Sequence, residues 1–371
     1  MNTSMLQALY RFCTTSCLLL LASSAAAFEA PPLTADEAAA AAADYQKYCA
    51  LCHGADRQGN ASDNAPSLRS RSLLRTGFPE LILFTIAYGR RGTPMGGYFD
   101  EIGGPMNNEE LYRLTRWLKE QVPVESIDLP REPVAGDARR GREIFAAQCA
   151  RCHGAEGESG EGMVGPAIGN PALLALAPDA FLRYAIENGR DGTEMAGFAG
   201  VLSADDIDAV TAYLRSRETR WTAEASVLRP LPGADDYVIN PQGDAPEFAL
   251  RDGLYVLSAD LDRALREQRR MVVLDTRVTS MWQIAHIEGA VPVPYYHEDI
   301  AGLARDLPAD GTWIVSYCEC PRAAAESVTR KLRAAGFANT AVLWEGINGW
   351  VALGYPVHSG EVAVQAAASA E

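Results

Sequence analysis

The stretch Cys149-Ala150-Arg151-Cys152-His153 occurs in a chain of 371 residues, and a near copy, Cys49-Ala50-Leu51-Cys52-His53, lies 100 residues earlier. Both stretches have the form C-x-x-C-H. In a helix, two cysteines at this spacing lie about one turn apart, because a turn takes about 3.6 residues. Both thiols and the histidine that follows them therefore converge on one bound group.

The spacing C-x-x-C-H is the attachment signature of c-type haem. The two thiols add to the two vinyl groups of one porphyrin, and the histidine becomes an axial ligand of the iron. We therefore expect two covalently bound c-type haems. Their attachment residues are Cys49, Cys52 and His53 in the first copy, and Cys149, Cys152 and His153 in the second.

The residues that surround the two motifs are also duplicated at the same offset. The matching positions are Pro66 and Pro166, Met95 and Met195, and the pattern Gly-Arg-x-Gly-Thr-x-Met at 89–95 and 189–195. Amphipathic helices, predicted over 109–118 and 205–214, close the two units. The repeat is therefore one haem domain long. These matched positions favour haem over the other uses of a C-x-x-C pair, half of a zinc site or a redox dithiol.

Both units resemble class I cytochrome c, over residues from about 35 to 217. The resemblance implies that the carbonyl groups of Pro66 and Pro166 accept hydrogen bonds from the ligating histidines. It also implies that the sulfur atoms of Met95 and Met195 are the sixth ligands of the two irons, since thioether ligation raises the potential of electron-transfer haem. Two other methionines compete less well. Met106 has no counterpart in the second unit, and Met163 follows His153 too closely.

The N-terminal residues are typical of a secretory signal peptide. Arg11 is the only charged residue before residue 29, an apolar run follows it, and Ala25 and Ala27 suit cleavage before Phe28. The apolar run is too short to span a membrane, although an uncleaved anchor is the alternative, and no later stretch is apolar enough to cross one. Because c-type haem is attached outside the cytoplasm, we expect a periplasmic protein. The net charge of −15 argues against nucleic acid or an anionic membrane as a partner.

From Tyr255 onward the pattern changes to alternating strands and helices. The predicted strands are 270–275, 290–294, 313–317 and 341–344, and the predicted helices are 259–267, 297–306 and 322–335. Such alternation indicates a parallel sheet that is covered on both faces. The connection before it, at 216–250, is too apolar for a free tether, so we expect it to pack along one of the domains.

The chain has eight cysteines, and two of them, Cys318 and Cys320, lie outside the signal and the haem motifs. This count excludes a structural disulfide framework. Cys318 directly follows a predicted strand and precedes a helix that begins at about Arg322. A turn of this kind surrounds a thiol with backbone N–H groups, which favours a thiolate and bound anions.

This C-terminal part resembles a rhodanese domain over residues 253 to 357. The resemblance rests on Asp275-Thr-Arg277, His286-Ile-Glu-Gly-Ala290, the turn at Cys318, Gly336-Phe337 and Trp344-Glu-Gly-Ile-Asn-Gly-Trp350. It implies that Cys318 carries sulfane sulfur as a persulfide. The other matching residues are assigned to the scaffold, and His286 is interpreted as a hydrogen-bonding residue and not as a base.

The loop Cys318-Glu-Cys-Pro-Arg322 departs from the family pattern. Glu319 adds negative charge beside the thiol, Pro321 lacks an N–H donor, and Arg322 supplies a cation one position early. We therefore expect little thiosulfate sulfurtransferase activity. Cys320 has three competing interpretations: a resolving thiol for a strained, labile disulfide with Cys318, the second ligand of a soft metal such as copper, or an inert neighbour.

The sequence thus predicts two all-α cytochrome c domains followed by one α/β rhodanese-like domain. The predicted boundaries are 1–27 for the signal peptide, 28–121 and 137–217 for the cytochrome c domains, 122–136 for the linker between them, 218–252 for a connecting segment, 253–358 for the rhodanese-like domain, and 359–371 for a disordered tail. The functional hypothesis is a diheme electron-transfer protein coupled to thiol or persulfide chemistry, with a sulfur-compound donor and a redox partner protein or terminal oxidase-type acceptor. The alternative is a plain electron carrier with a docking module.

Overall fold

A computed structural model describes residues 31–60, 64–160, 162–219, 228–319 and 322–359. The elements lie within Ala35–Glu371, which forms one compact unit. They comprise two helical domains followed by an α/β domain, as the sequence predicts. Among the described residues, no helix combines the length and the apolar character that crossing a membrane requires.

The first helical domain is built around a terminal pair of helices. Its elements are α1 (Ala35–Tyr48), α2 (Ala50–His53), α3 (Arg71–Thr76), α4 (Pro79–Tyr88) and α5 (Asn108–Glu120). A capping box starts α5, because Asn107 and Glu110 each bind the other's backbone N–H. Its apolar stripe packs against α1, where the ring of Trp117 lies 5.4 Å from that of Tyr45. The predicted helix over 109–118 is confirmed.

The second helical domain repeats this arrangement. Its elements are α6 (Ala138–Gln148), α7 (Ala150–His153), α8 (Pro171–Leu176), α9 (Asp179–Asn188) and α10 (Ala204–Arg215). The helices α6 and α10 cross at Gly141, where an added Cβ would lie 1.9 Å from the carbonyl oxygen of Ala209. Glycine is therefore required for their close approach.

The strands of the α/β domain are β1 (Tyr255–Val256), β2 (Met271–Asp275), β3 (Ala285–His286), β4 (Val291–Pro292), β5 (Trp313–Tyr317), β6 (Thr340–Leu343) and β7 (His358–Ser359). They form a five-stranded parallel sheet in the order β1-β6-β5-β2-β4 and a separate antiparallel pair, β3-β7. The helices are α11 (Ser258–Arg266), α12 (Thr279–Ile284), α13 (Ile300–Asp306), α14 (Ala323–Ala334) and α15 (Gly346–Ala352).

The sheet is covered on both faces, as the alternating pattern predicts. Along β2, Met271 and Val273 belong to one apolar cluster, whereas Val272 and Leu274 belong to another. Alternate residues of a strand point to opposite faces, so both faces are buried. The strand predicted over 290–294 is shorter, Val291–Pro292, and lies at the edge of the sheet, where the missing N–H of proline is tolerated.

The connecting segments are held against the domains. In the segment before the sheet, Ile239 and Met271 exchange two backbone hydrogen bonds, of 2.8 and 3.2 Å. Between the helical domains, the N–H of Ile127 donates to the carbonyl of Arg75 at 2.8 Å, and the N–H of Val134 donates to the carboxylate of Asp179 at 2.8 Å. The expectation that the segment at 216–250 packs on a domain is confirmed for residues 228–250.

Candidate functional site

Each C-x-x-C-H motif forms a single helical turn at the end of a longer helix. In α2, the N–H groups of Cys52 and His53 donate to the carbonyl of Cys49 at 3.2 and 2.9 Å. In α7, both equivalent distances, to the carbonyl of Cys149, are 3.1 Å. The two motifs therefore present their side chains in the same local conformation.

The histidines of the two motifs are oriented by proline carbonyls. The Nδ1–H of His53 donates to the carbonyl of Pro66 at 3.0 Å, and that of His153 to the carbonyl of Pro166 at 2.9 Å. This confirms the pairing that the resemblance implies. With Nδ1 engaged, Nε2 is the nitrogen left to bind a metal. Burial lowers the pKa of both histidines, which favours the neutral imidazole that an iron ligand requires.

The cysteines of the motifs are poor candidates for a zinc site. Among the described residues, no group of three or more histidine, cysteine, aspartate or glutamate side chains could hold a metal ion. Burial raises the pKa of Cys49 to about 12 and that of Cys149 to about 11, and the second cysteine of each motif adds to the effect.

The pattern Gly-Arg-x-Gly-Thr-x-Met is a closed turn in both domains. The N–H of Arg90 donates to the carbonyl of Met95 at 2.7 Å, and the hydroxyl of Thr93 donates to the carbonyl of Arg90 at 2.7 Å. The first glycine is required, because Gly89 has φ +69° and an added Cβ would lie 2.4 Å from the backbone of Gly96.

The second domain repeats these contacts: the distance is 2.9 Å from Arg190 N–H to the Met195 carbonyl, and 2.6 Å from the Thr193 hydroxyl to the Arg190 carbonyl. Both methionines are half-buried. The turn therefore holds one methionine and one arginine side chain at a fixed spacing in each domain.

The two methionine turns differ in what covers them. In the first domain, Gly96 is buried, and an added Cβ would lie 2.3 Å from the side chain of Val278 and 2.7 Å from that of Met281. Both of these residues belong to the α/β domain. In the second domain, Ala196 and Gly197 are exposed. The α/β domain thus covers the first turn, while the second faces solvent.

The thiol of Cys318 lies at the C-terminal end of β5, as predicted. It is buried, with 4% of the residue exposed, and its S–H donates to the carbonyl of Glu319 at 3.1 Å. The N–H of Ile347 donates to the carbonyl of Cys318 at 2.9 Å, which fixes the start of the loop. Cys320 and Pro321 lie outside the described residues.

The carboxyl group of Glu319 points into the domain. It is buried, and one of its oxygens lies 3.6 Å from Nη1 of Arg277. Burial raises the pKa of Glu319 to about 7, although Arg277 acts in the opposite direction. The negative charge expected beside the thiol is therefore reduced near neutral pH. Sequence reasoning missed this pair because it treated Arg277 as part of the scaffold.

Arg277 is also bound within the scaffold, as the resemblance implies. Its guanidinium makes three hydrogen bonds to the Asp275 carboxylate, of 2.9, 3.2 and 2.6 Å, and the Tyr317 hydroxyl donates to the same carboxylate at 2.7 Å. His286 is a hydrogen-bonding residue, as interpreted from the sequence: its Nδ1–H donates to the carbonyl of Trp282 at 2.8 Å, and its ring stacks on that indole.

Arg322, the predicted loop cation, is held by an aromatic side chain. Its Nη1 donates to the carbonyl of Trp344 at 2.8 Å, and its guanidinium lies 3.8 Å from the Trp344 ring centre. The guanidinium of Arg251 lies 3.7 Å from the same ring. Two guanidiniums therefore lie within the range of a cation–π interaction with the same indole.

The α/β domain contacts the first haem motif through a group of tyrosines that the sequence did not indicate. The hydroxyls of Tyr98 and Tyr295 lie 2.7 Å apart, and both bond the carbonyl of Tyr48, the residue before Cys49. The two hydroxyl groups and the carbonyl thus make three contacts with one another, for which the hydroxyls supply two protons. Helix α14, which follows the thiol loop, also packs against α2. No local pattern signals such a contact, because its partners lie about 200 residues apart in the chain.

Comparison with known families agrees with this architecture. Residues 36–118 and 136–214 match the model of cytochrome c oxidase, cbb3-type, subunit III, and residues 258–353 match the rhodanese-like domain. The chain therefore carries two cytochrome c domains and a C-terminal rhodanese-like domain. Cytochrome c domains imply haem c as their cofactor.

Individual relatives match parts of the chain. Dihydro-heme d1 dehydrogenase of Pseudomonas aeruginosa is 40% identical over 26% of this chain and 20% of its own length. The cbb3-type cytochrome c oxidase subunit FixP of Azorhizobium caulinodans is 29% identical over 45% of this chain and 55% of its own. A rhodanese-like domain from Anabaena sp. is 24% identical over 32% of this chain and 86% of that one, with a TM-score of 0.27. The chain thus spans between a fifth and just over half of the length of these two curated relatives.

Proposed function

We propose that this chain, with its two cytochrome c domains and its rhodanese-like domain, is a periplasmic diheme protein that passes electrons from sulfur chemistry at Cys318 to a redox partner. The proposal is carried by one observation: the rhodanese-like domain packs directly on the first haem motif, with Tyr295 bonded to the residue before Cys49. A domain that served only as a distant docking module would not need this contact.

The proposal includes the cofactors and their ligands. Two haems are covalently bound, one at Cys49, Cys52 and His53 and the other at Cys149, Cys152 and His153. Met95 and Met195 supply the sixth ligands. The oriented histidines and the matched methionine turns support this assignment. The signal peptide and the domain boundaries predicted above belong to the same proposal.

A short series of bonds joins the thiol to the first motif. Cys318 follows Tyr317, whose carbonyl accepts the N–H of Thr276 at 2.9 Å. The carbonyl of Thr276 accepts the N–H of Tyr295 at 3.0 Å, and the hydroxyl of Tyr295 donates to the carbonyl of Tyr48. This continuous series supports an electronic connection between the thiol loop and the first haem domain.

The chemistry balances for a two-electron oxidation. The thiolate of Cys318 and a hydrosulfide ion form an S–S bond, which yields a persulfide and releases one proton and two electrons. When bound, the two haem irons supply two one-electron acceptors. The chain positions the thiol at the carboxyl edge of the sheet, and burial of Glu319 raises the pKa of that carboxyl group, which reduces the negative charge beside the thiol near neutral pH.

The second cytochrome c domain is the proposed exit for electrons. Its methionine turn is exposed at Ala196 and Gly197, whereas the first turn is covered by the rhodanese-like domain. Electron-transfer partners dock where a haem domain is accessible. The similarity to cbb3-type oxidase subunits suggests a terminal oxidase-type acceptor for this surface.

The test is anaerobic mixing of the oxidised protein with hydrosulfide, followed at the α-band of the haem. We expect Cys318→Ser to slow reduction of the haems by at least tenfold, while reduction by dithionite stays unchanged. The matched control is Cys320→Ser, which separates a resolving thiol from an inert neighbour. Equal rates for Cys318→Ser and the unmodified protein would refute the sulfur-coupled function.

The second candidate function is a plain electron carrier with a docking module. The observation that favours it is the burial of the Cys318 thiol and its hydrogen bond to the Glu319 carbonyl, which stabilise the unreactive S–H form. This candidate predicts that alkylating agents leave Cys318 unmodified in the folded protein, and that a partner protein reduces the haems at a rate independent of both cysteines. The same single-cysteine variants also test for a soft-metal site at Cys318 and Cys320. Metal analysis would show a bound metal in the unmodified protein that each variant loses.

A further inference from the structure

One position of the methionine turn differs between the two cytochrome c domains in both its residue and its surroundings. The residue after the methionine is Gly96 in the first domain and Ala196 in the second. Gly96 is buried, whereas Ala196 is exposed. Gly96 does not have a positive φ, so the conformation of its own backbone does not require a glycine. The reason for this glycine lies in what surrounds it.

The rhodanese-like domain occupies the space that a side chain at Gly96 would need. An added Cβ would lie 2.3 Å from Cγ1 of Val278 and 2.7 Å from Cγ of Met281, whereas carbon atoms in favourable contact lie about 3.5–4.0 Å apart. Both residues are buried, so relief of this overlap would require either the turn or helix α12 to move. The glycine therefore allows the start of α12 to lie directly against the turn.

Two further contacts hold α12 along the same segment of the first domain. The hydroxyl of Ser280, a residue with 2% exposure, donates to the carbonyl of Gly97. An added Cβ at Gly103 would lie 3.1 Å from Cγ of Gln283. Separating the two surfaces would break the buried hydrogen bond of Ser280, which is unfavourable. Helix α12 therefore contacts the first domain from Gly96 to Gly103.

The covered segment includes the direct neighbour of Met95. The carbonyl of Met95 accepts the N–H of Arg90 at 2.7 Å, which closes the turn. The N–H of Gly96 donates to the carbonyl of Pro94 at 3.1 Å. A shift of Gly96 therefore reaches the backbone on both sides of Met95.

We propose that helix α12 of the rhodanese-like domain positions Met95 as the sixth ligand of the first haem iron, a function of this domain that does not require Cys318. The inference rests on the proposed ligation of that iron by Met95. Ser280, Val278 and Met281 are positioning residues, because they act on the ligand through the turn. A turn that is already held in one conformation loses less freedom when its side chain binds, and its affinity is higher for that reason.

The test compares two substitutions that each add one heavy atom at the equivalent position of the two turns. Gly96→Ala introduces the residue that the second turn already carries, so the turn itself accepts it. Thioether ligation raises the potential of haem. Gly96→Ala is therefore expected to shift the oxidation equilibrium of one haem about tenfold toward the ferric state, which equals about 59 mV for one electron. The control, Ala196→Ser, should leave both potentials unchanged. Spectroelectrochemistry of the full-length protein measures these potentials.

Amide hydrogen exchange gives a second readout, which does not depend on the potential of the iron. In Gly96→Ala, the N–H of Arg90 should exchange at least tenfold faster, while the N–H of Arg190 in the second turn keeps its rate. Adding Val278→Ala to Gly96→Ala removes the nearest overlapping atom. This double variant should recover part of the original potential and part of the original protection of Arg90.

The outcomes separate this inference from the proposed function. Unchanged potentials and unchanged exchange in Gly96→Ala, with both haems attached, would overturn it, as would a failure of Val278→Ala to restore either property. If Gly96→Ala does not mature, Ser280→Ala decides, because it removes the hydrogen bond without adding volume and should shift the same haem by a smaller factor. An unaltered potential in that variant would also overturn the inference.

Met95→Ala tests the ligation on its own. If Met95→Ala shifts a potential and Gly96→Ala does not, the ligation stands and the positioning by α12 is wrong. Cys318→Ser should leave both potentials as they are in the unmodified protein, so the sulfur-coupled function can fail, on the rate of reduction by hydrosulfide, while the positioning by α12 holds.

Discussion

At the scale of single residues, Glu319 links the stability of the rhodanese-like domain to pH. Its pKa is raised from 4.5 to about 7, so the folded state binds a proton that the unfolded state releases. The resulting stabilisation is complete below about pH 4.5 and is lost as the pH rises through 7. Since one unit of pKa is worth about 1.4 kcal/mol, the effect is at most about 3 kcal/mol.

Glu319→Gln should therefore flatten the pH dependence of the melting temperature between pH 5 and 8, and should raise the melting temperature at pH 8. Thermal melts of the full chain at these two pH values are the measurement. The control is Glu326→Gln, which removes a half-buried carboxylate on α14. A pH dependence in Glu319→Gln as steep as that of the unmodified protein would contradict the assignment.

Single residues also show where sequence reasoning reaches its limit. The hydrogen bonds from His53 to Pro66 and from His153 to Pro166 agree with what the resemblance to class I cytochrome c implies. The direction of the Glu319 side chain was not predicted, since a residue after a strand can turn toward solvent or toward the core. Only the position of Arg277, 42 residues earlier, decides it.

At the scale of elements, a carboxylate of the second cytochrome c domain caps a helix of the first. The carboxylate of Asp191, in the second domain, accepts hydrogen bonds from the N–H groups of Arg71 and Ser72 at the start of α3, at 2.8 and 2.7 Å. Burial alone would raise the pKa of Asp191, but these bonds lower it to about 2. The stabilisation is thus present above pH 3.8 and lost as the pH falls toward 2.

Asp191→Ala should lower the free energy of unfolding by about 0.5–2 kcal/mol, the usual value of an N-cap. It should also make the junction between the domains more open to proteases. Limited proteolysis and denaturant unfolding are the measurements, with Glu194→Ala, an exposed carboxylate in the same turn, as the control. Equal protease sensitivity of the two variants would count against the cap.

The helices of the cytochrome c domains differ in how well the sequence predicts them. The long helix α5 has a capping box and an apolar stripe, and both are local signals. The six-residue helices α3 and α8 have no such periodicity. Their C-terminal carbonyls are bound from a distance, by Lys119 to Leu74 and Gly77 in the first domain and by Arg215 to Leu174 and Ala177 in the second. Tertiary contacts therefore stabilise these helices, and their local signals are the N-caps Ser70 and Asn170.

At the scale of the whole molecule, the order of the three domains follows from the sequence, but their contact does not. The C-x-x-C-H motifs and the strand–helix alternation are each local to one domain. The interface depends on Tyr295 meeting Tyr98, and on the Ser280 hydroxyl donating to the carbonyl of Gly97. Neither tyrosine belongs to a motif. Only the folded structure therefore reveals that the rhodanese-like domain packs on the first cytochrome c domain.

This interface gives the final prediction, which concerns Tyr295→Phe. The change removes the hydroxyl that bonds the carbonyl of Tyr48, while the ring can remain packed in place. If the series of bonds from Cys318 to Tyr48 carries electrons, reduction of the haems by hydrosulfide should slow severalfold, and reduction by dithionite should not change. Rapid mixing under anaerobic conditions measures both rates.

The control is Tyr296→Phe, because the ring of Tyr296 packs edge-on against Tyr48 at 5.0 Å and lies beside the bonded series without belonging to it. Should the two variants slow the hydrosulfide reaction equally, the interface would act only by holding the domains together, and the hydroxyl of Tyr295 would have no part in the transfer.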